Sequence, residues 1–363
     1  MNHNYRKTKF IIILFMFAFI YIHICYKTQK RISSTKKLSK LIDISVINGR
    51  HAVISVDLDT DLDFYLFYLP ITCLSWRLIG FEPLILAIYS DGTKNNSLVG
   101  KTVEYLEFFK IKIIYLKNIA GHNKMLGMLA RLLVGLVDQN DIHDDAFIFQ
   151  SDADLLPINK SYYNKFDETN SIKVLDVSSF QTPMGKFSYK GKKYRMFYMG
   201  HIGMRKKQWR EIMNFNDNQT NFQLNSKSIL NMVKEYYGES KIKKDEEIVR
   251  GDSVWSLDQF ILSINIARYL RKTRSNLFEN PSNGIKLDRE WTDSKWMDVL
   301  KNKYDMINDV HLFHDNYLEK LHLLELLLTK MFKIEDNLIL KRYTREFVDI
   351  KNTKWPNKVL KTV

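Results

Sequence analysis

The chain has 363 residues, enough for one large or two modest domains, and its 45% apolar and 13% aromatic content excludes a disordered or low-complexity protein. Its 55 Lys and Arg against 41 Asp and Glu give a formal charge of +14, which suits nucleic acid, anionic lipid or a phosphorylated ligand. The basic residues are scattered among Asn, Ile and Tyr, without the aromatic-and-basic repeats or zinc-finger spacing of a nucleic-acid module, so no nucleic-acid partner is expected.

Residues 1–9 read as a short tail carrying Arg6, Lys7 and Lys9. Residues 10–26, FIIILFMFAFIYIHICY, are apolar apart from His23 and, at roughly 17 residues, lie at the short end of what spans a bilayer. No small-x-small cleavage site follows, because the run ends in Ile22, His23, Ile24 and Tyr26, so it reads as a transmembrane anchor and not a removed signal. Three Lys or Arg precede it and a longer string follows (Lys27, Lys30, Arg31, Lys36, Lys37 and Lys40), so the positive-inside rule does not favour a lumenal domain, and that orientation is expected from the chemistry below. Residues 27–50, polar and basic at first, read as a stem. Cys25 lies in the apolar run and Cys73 in the globular part, which leaves that part no disulfide framework. Glycosylation-type triplets at Asn95, Asn159 and Asn218 carry little weight in an Asn-rich chain.

From His51 onward, strand-length apolar runs alternate with helical patterns, the signature of an α/β domain with a largely parallel sheet. The patterns predict a strand over Ala52–Val56, a helix over Phe64–Leu78, a turn at Gly80 and a strand over Pro83–Ile88. A short helix over Lys101–Phe109, a strand over Ile111–Leu116 and a helix from Asn123 to Val137 come next. A fourth strand, Ala146–Gln150, runs directly into Ser151-Asp152-Ala153-Asp154. Beyond it the pattern loosens into a strand over Val174–Phe180, a Gly and Lys turn over 185–193, a loop-rich stretch and a helix over Tyr317–Phe332. The carboxyl end is basic and weakly patterned.

Ligands of open α/β sheets bind beyond the carboxyl ends of the strands, which is where Asp152 and Asp154 fall. Alternate residues of an extended strand share a face, so both carboxylates are expected to project together, before Leu155, Leu156 and Pro157 turn the chain away. Such a pair suits Mg²⁺ or Mn²⁺, which keeps positions open for diphosphate oxygens and offsets the charge on a departing nucleotide.

The order of strand, acids and turn resembles the GT-A glycosyltransferases, in particular the glycogenin-like nucleotide-diphospho-sugar transferases, over roughly residues 51–315. The resemblance implies a Rossmann-like GT-A fold as a single catalytic domain over 51–350, preceded by the transmembrane helix and followed by a basic tail over 351–363. It implies Mn²⁺ (or Mg²⁺) on Asp152 and Asp154, with Asp152 also holding the donor ribose, and a third ligand from INDVHLFHDNY. His311 is preferred there over His314, although the Gly and Lys-Pro-Trp that usually follow are absent. It further implies a donor contact from Lys124, with Arg131 as the alternative, and Gly200 and Gly203 as small residues that admit the donor sugar. Asp258, beside Gln259, is the expected catalytic base or sugar ligand, and Trp255 and Trp209 are sugar-stacking or packing residues. Asp57, at the end of the first strand, is a nucleoside contact. Plainer roles stay open: Lys124 as a solvated lysine at a helix start, and Asp258 as an acid complementing a helix dipole. The activity implied is transfer of a sugar from a UDP- or GDP-sugar to a glycan or glycoprotein, by a type II protein of the Golgi or ER membrane with a lumenal domain.

A competing resemblance lies in VISVDLDTDLDF, residues 53–64, which is similar to the first motif of haloacid-dehalogenase-type phosphatases. There Asp57 would be the nucleophile and Asp59 the general acid/base, with Gly251-Asp252 and Asp258 at the metal-binding end. A third expectation is a non-catalytic, membrane-anchored binding domain of the same fold.

Overall fold

The computed structural model describes residues 49–59, 63–93, 96–164, 172–175, 185–215, 222–249, 254–274, 277–280, 284–314 and 316–354. The expected anchor, nearly all of the stem, Asn95, Asn218 and Gly251-Asp252 lie outside the described residues. Among the described residues no helix is long and apolar enough to cross a membrane.

β1 (Arg50–Asp57), α1 (Asp63–Leu78), β2 (Glu82–Tyr89), α2 (Ser97–Phe108) and β3 (Lys112–Lys117) alternate as expected. α3 (Asn123–Leu129) continues as a 3-10 segment, Ala130–Leu136, before β4 (Phe147–Ser151). The expected single helix to Val137 is therefore split. The 3-10 segment runs against the helix that follows the sheet's later strands, and a Cβ at Gly135 would lie 2.8 Å from the Arg210 backbone nitrogen. Next come β5 (Leu155–Pro157), α4 (Lys160–Asn164), β6 (Ile172–Leu175), the hairpin β7 (Lys186–Tyr189) and β8 (Lys192–Arg195), β9 (Ile202–Arg205) and α5 (Lys206–Ile212). The hairpin turns through Lys190 and Gly191, both at positive φ, which suits a two-residue loop. α6 (Ser226–Tyr237), α7 (Leu257–Thr273), β10 (Leu277–Asn280), β11 (Ile285–Leu287), α8 (Asp293–Asn302), β12 (Ile307–His311), α9 (Leu321–Met331) and α10 (Ile334–Lys354) complete the order.

The main sheet has seven strands in the order β10-β6-β9-β4-β1-β2-β3. β4, β1, β2 and β3 are mutually parallel, β9 is antiparallel to both β4 and β6, and β10 is parallel to β6. Period-two alternation divides the strands between two cores. Ala52, Ile54, Val56, Phe147 and Phe149 face one, while Val53, Leu84, Leu86 and Ile148 face the other. From β1 the chain winds one way through β2 and β3, then returns to lay β4 on the opposite side of β1. The carboxyl ends of β1 and β4 thus flank a topological switch point, where open α/β sheets form their crevice.

The carboxyl-terminal segment is more ordered than its composition suggests. α10 buries Leu340, Tyr343 and Phe347 completely, at helical spacing, and Tyr343 donates from its hydroxyl to the Leu66 carbonyl at 2.9 Å. Helix α10 also crosses the expected domain boundary at residue 350.

Candidate functional site

Three buried side chains of α1 fix the turn that carries the acids. Thr72 Oγ1 donates to the Ala153 carbonyl at 2.6 Å, Ser75 Oγ to the Pro157 carbonyl at 2.5 Å, and Trp76 Nε1 to Ser151 Oγ at 2.8 Å. The turn itself corrects an expectation: β4 ends at Ser151, so Asp152 and Asp154 converge through the turn between β4 and β5, not by strand alternation. β5 then pairs antiparallel with β12 in a second sheet, ordered β11-β12-β5, which sets Leu155 opposite His311. The Leu312 N–H donates to the Asp154 carbonyl at 2.9 Å, so one register brings His311 beside the acids from some 150 residues away.

Asp152, Asp154 and His311 each offer one ligand atom, and these atoms all lie within 4.8 Å of one another. It is the one such cluster of three or more among the described residues. Two carboxylates and an imidazole form a donor set suited to Mn²⁺ or Mg²⁺, and the spread matches metal bonds of ~2.0–2.6 Å. Burial pushes the His311 imidazole down to about 4 against the opposing pull of Asp154. Burial also works to raise the pKa of Asp154, but His311, His314 and Arg289 overcome it and hold the carboxyl well below its ordinary value. For Asp152, burial is likewise outweighed, by the Arg131 guanidinium. A Cβ at Gly200 would lie 3.2 Å from Asp152 Oδ2 and 2.8 Å from a Leu155 methyl, so the glycine leaves that oxygen open to the cavity.

The cluster lines a cavity of about 290 Å³. Asp57, Lys124 and Gly200 line it too, together with Arg131, Trp255 and Gln259. Asp57 is 7% exposed and accepts the Asp59 N–H at 2.9 Å. A Cβ at Gly127 would stand 2.9 Å from both the Asp57 nitrogen and its Cβ, so this glycine lets α3 close onto the end of β1. Lys124 stands in the first turn of α3, whose amino-terminal N–H groups donate to the Asp245 carboxylate, at 3.0 Å from Asn123 and 2.8 Å from Lys124.

Other expected site residues lie elsewhere. Asp258 stands behind the cavity wall, 1% exposed, where it accepts from Arg131 Nε at 3.1 Å and from Nη2; its neighbour Gln259 is the one that faces the cavity. Burial raises its pKa while Arg131 opposes. A carboxylate committed in this way orients Arg131, and does not meet a substrate hydroxyl. Gly203 also stands apart: it pairs with Phe149 across β9 and β4, and a Cβ there would lie 2.6 Å from a Phe147 ring carbon and 2.9 Å from one of Phe149. Its smallness serves ring packing under the sheet. Trp209 is fully buried with Nε1 donating to the Ile148 carbonyl at 3.4 Å, a core position. The Asn159 amide donates to Asn308 Oδ1 at 3.1 Å and accepts the Tyr162 N–H at 3.1 Å, bracing β5 against β12.

The sequence did not single out Arg289 or Lys286, and it treated His314 as the alternative to His311. The structure brings all four to the cavity. Arg289 Nη1 donates to Asp154 Oδ2 at 2.7 Å and contacts His314 Nε2, which itself contacts the same carboxylate oxygen. The His314 ring stacks on Phe64 with centroids 4.4 Å apart, and its buried Nδ1 has no hydrogen-bond partner among the described residues. A Lys within a short strand and an Arg two residues beyond its end were the local signal. Nothing in that spacing announces a partner at residue 154.

No protein-family model matches the chain, and no curated protein matches it. Solved structures similar to it include a glycosyltransferase involved in the glycosylation of the major capsid of PBCV-1, at 9% identity and TM-score 0.32, covering 75% of this chain and 98% of that one. The catalytic domain of Drosophila beta1,4-galactosyltransferase 7 in complex with xylobiose is similar at 15% identity and TM-score 0.25, over 47% of this chain and 55% of that one. A point mutant of that Drosophila enzyme, in complex with manganese, UDP-Gal and xylobiose, is similar at 14% identity and TM-score 0.24, over 45% and 52%. At these TM-scores the likenesses carry no argument about the reaction, which has to come from the residues of the site.

Proposed function

We propose that the chain is a divalent-cation-dependent glycosyltransferase that moves a sugar from a nucleotide diphosphate donor to a glycan or glycoprotein acceptor. The observation that carries this reading is the convergence of Asp152, Asp154 and His311 at the switch point of a parallel sheet, in a cavity also lined by Lys124, Lys286 and Arg289. A cation held by two acids and a neutral imidazole, with basic side chains around it, is the arrangement a diphosphate leaving group requires. When bound, the cation would supply electrostatic stabilisation of the charge that grows on the diphosphate.

The protein's own groups divide the remaining work. Arg131 fixes Asp152 through Nη1 and is itself anchored by Asp258, so the free face of Asp152 stays directed at the cavity. Asp57, at the β1 end of the crevice, would meet the nucleoside, and Lys124 the phosphates. Trp255 and Gln259, also in the cavity lining, would meet sugar. We further propose that residues 10–26 anchor the chain in an early secretory membrane, with the catalytic domain lumenal.

The phosphatase reading gains nothing from the geometry. Asp59, its general acid/base, is tied to Thr93 Oγ1 and lies 3.4 Å from Asn123 Nδ2, and the metal-type cluster forms around Asp154 and not around Asp57.

Screening UDP- and GDP-sugars with the full-length protein tests the proposal by nucleotide release. Release that depends on Mn²⁺, and that drops about 10²–10³-fold in Asp154→Asn, is expected. Phosphatase activity abolished by Asp57→Ala, with no nucleotide release from any donor, would replace this reading with the other.

A further inference from the structure

The site's two carboxylates each carry an arginine, and the two arginines are held differently. Arg131 has a side chain 10% exposed; it engages Asp258 through Nε and Nη2, and Asp152 and the Ser151 carbonyl through Nη1. Arg289 lies in the cavity wall with its side chain 20% exposed and grips a single carboxylate oxygen, Asp154 Oδ2, at 2.7 Å. Among the described residues its Nε reaches the exposed Glu290, at 3.7 Å. Asp154 Oδ2 is also the oxygen that His311 Nε2 faces at 3.6 Å and that His314 Nε2 contacts. The oxygen on which the site's cation-binding atoms converge is therefore already neutralised by a guanidinium.

A carboxylate whose side chain is 3% exposed requires a positive partner, and the permanently charged guanidinium of Arg289, 2.7 Å away, supplies it. A divalent cation at the same oxygen would repel the guanidinium, whose contacts there are one carboxylate oxygen and the ring nitrogen of His314. Lys286, three residues earlier and also in the cavity wall, lies on the same side.

We propose that Arg289 is an exchangeable counter-ion of Asp154: it neutralises the carboxylate in the free protein, yields it to the divalent cation, and then meets the nucleotide's diphosphate together with Lys286. The inference rests on the transferase reading for its cation site and its diphosphate. Its consequence is a coupling between two ligands. A cation arriving alone must displace Arg289 without recompense, whereas with a diphosphate present the released guanidinium gains a new anionic partner. Cation and nucleoside diphosphate therefore bind cooperatively, and Arg289 is the group through which each favours the other.

The test is Mn²⁺ binding to the full-length protein, read by the electron paramagnetic resonance signal of the free ion, with and without UDP and corrected by protein-free Mn²⁺–UDP controls. In wild type, UDP is expected to tighten Mn²⁺ binding. Arg289→Gln, checked for folding by its thermal melt, is expected to bind Mn²⁺ alone about 5–30-fold more tightly and to lose most of the UDP effect. Lys286→Gln supplies a second variant, expected to weaken the UDP effect while tightening Mn²⁺ binding alone less than Arg289→Gln does. Equal or weaker Mn²⁺ binding by folded Arg289→Gln, with wild-type binding intact, overturns the exchange and spares the cation site. Absence of Mn²⁺ binding in wild type and both variants, with or without UDP, overturns the cation site itself.

Discussion

The cavity has two walls built on opposite principles. The wall from β1, β4 and α3 is locked: Arg131 bridges Asp152 and the almost fully buried Asp258, and Gln150 Nε2 donates to the Arg131 carbonyl at 2.8 Å. The wall from β5, β11 and β12 gathers Arg289, His311 and His314 around one oxygen of Asp154, so its charges compete for a shared partner. The first wall works as scaffold and the second as the adaptable part, which is the division a site needs if it is to hold one ligand rigidly and exchange another.

If that contrast is real, the two arginines should fail differently. Arg131→Met leaves the buried Asp258 carboxylate, and the more exposed Asp152, without their shared cation, and should cost about 3–5 kcal/mol of stability in urea unfolding, through Asp258. Arg289→Gln should cost less, since Arg289 holds one oxygen of one carboxylate where Arg131 bridges two acids, and its effect should appear in cation affinity. Equal destabilisation by the two variants would erase the distinction.

A smaller effect probes the locked side of the sheet through pH. Burial, with the charge of Lys206 acting in the same direction, lowers the pKa of His51 on β1 to about 4 from an ordinary value of 6.5. Between those values the unfolded chain takes up a proton that the folded chain refuses, so His51's contribution is complete above pH 6.5 and is lost as pH falls toward 4. His51→Gln should therefore show a shallower fall in stability than wild type across that window, as measured by denaturant midpoints at each pH.

The same two walls differ in how well the sequence announced them. β1 to β4 were legible within a residue or two because each is a local apolar run with its own flanking helix, and the acids follow β4 directly in the chain. The second wall depends on β5 pairing with β12, and a three-residue strand such as Leu155–Pro157 has no periodicity to detect. The sequence offered His311 only by resemblance, and Arg289 not at all. A substrate role for Asp258 follows only from the resemblance, through the Asp258-Gln259 pair; its burial against Arg131 depends on where Arg131 lies. α10 was missed for another reason. Its buried stripe of Leu340, Tyr343 and Phe347 is present in the sequence, but it is thin among charged neighbours in a segment of low mean hydropathy.

Anomalous diffraction from crystals grown with Mn²⁺ and UDP tests the central claim most directly. The account predicts one strong Mn²⁺ peak bonded to Asp152, Asp154 and His311 at about 2.0–2.6 Å, with UDP phosphates on the same ion and Arg289 withdrawn from Asp154. Bound UDP with no metal peak between the two acids, and Arg289 still on Asp154, would contradict it.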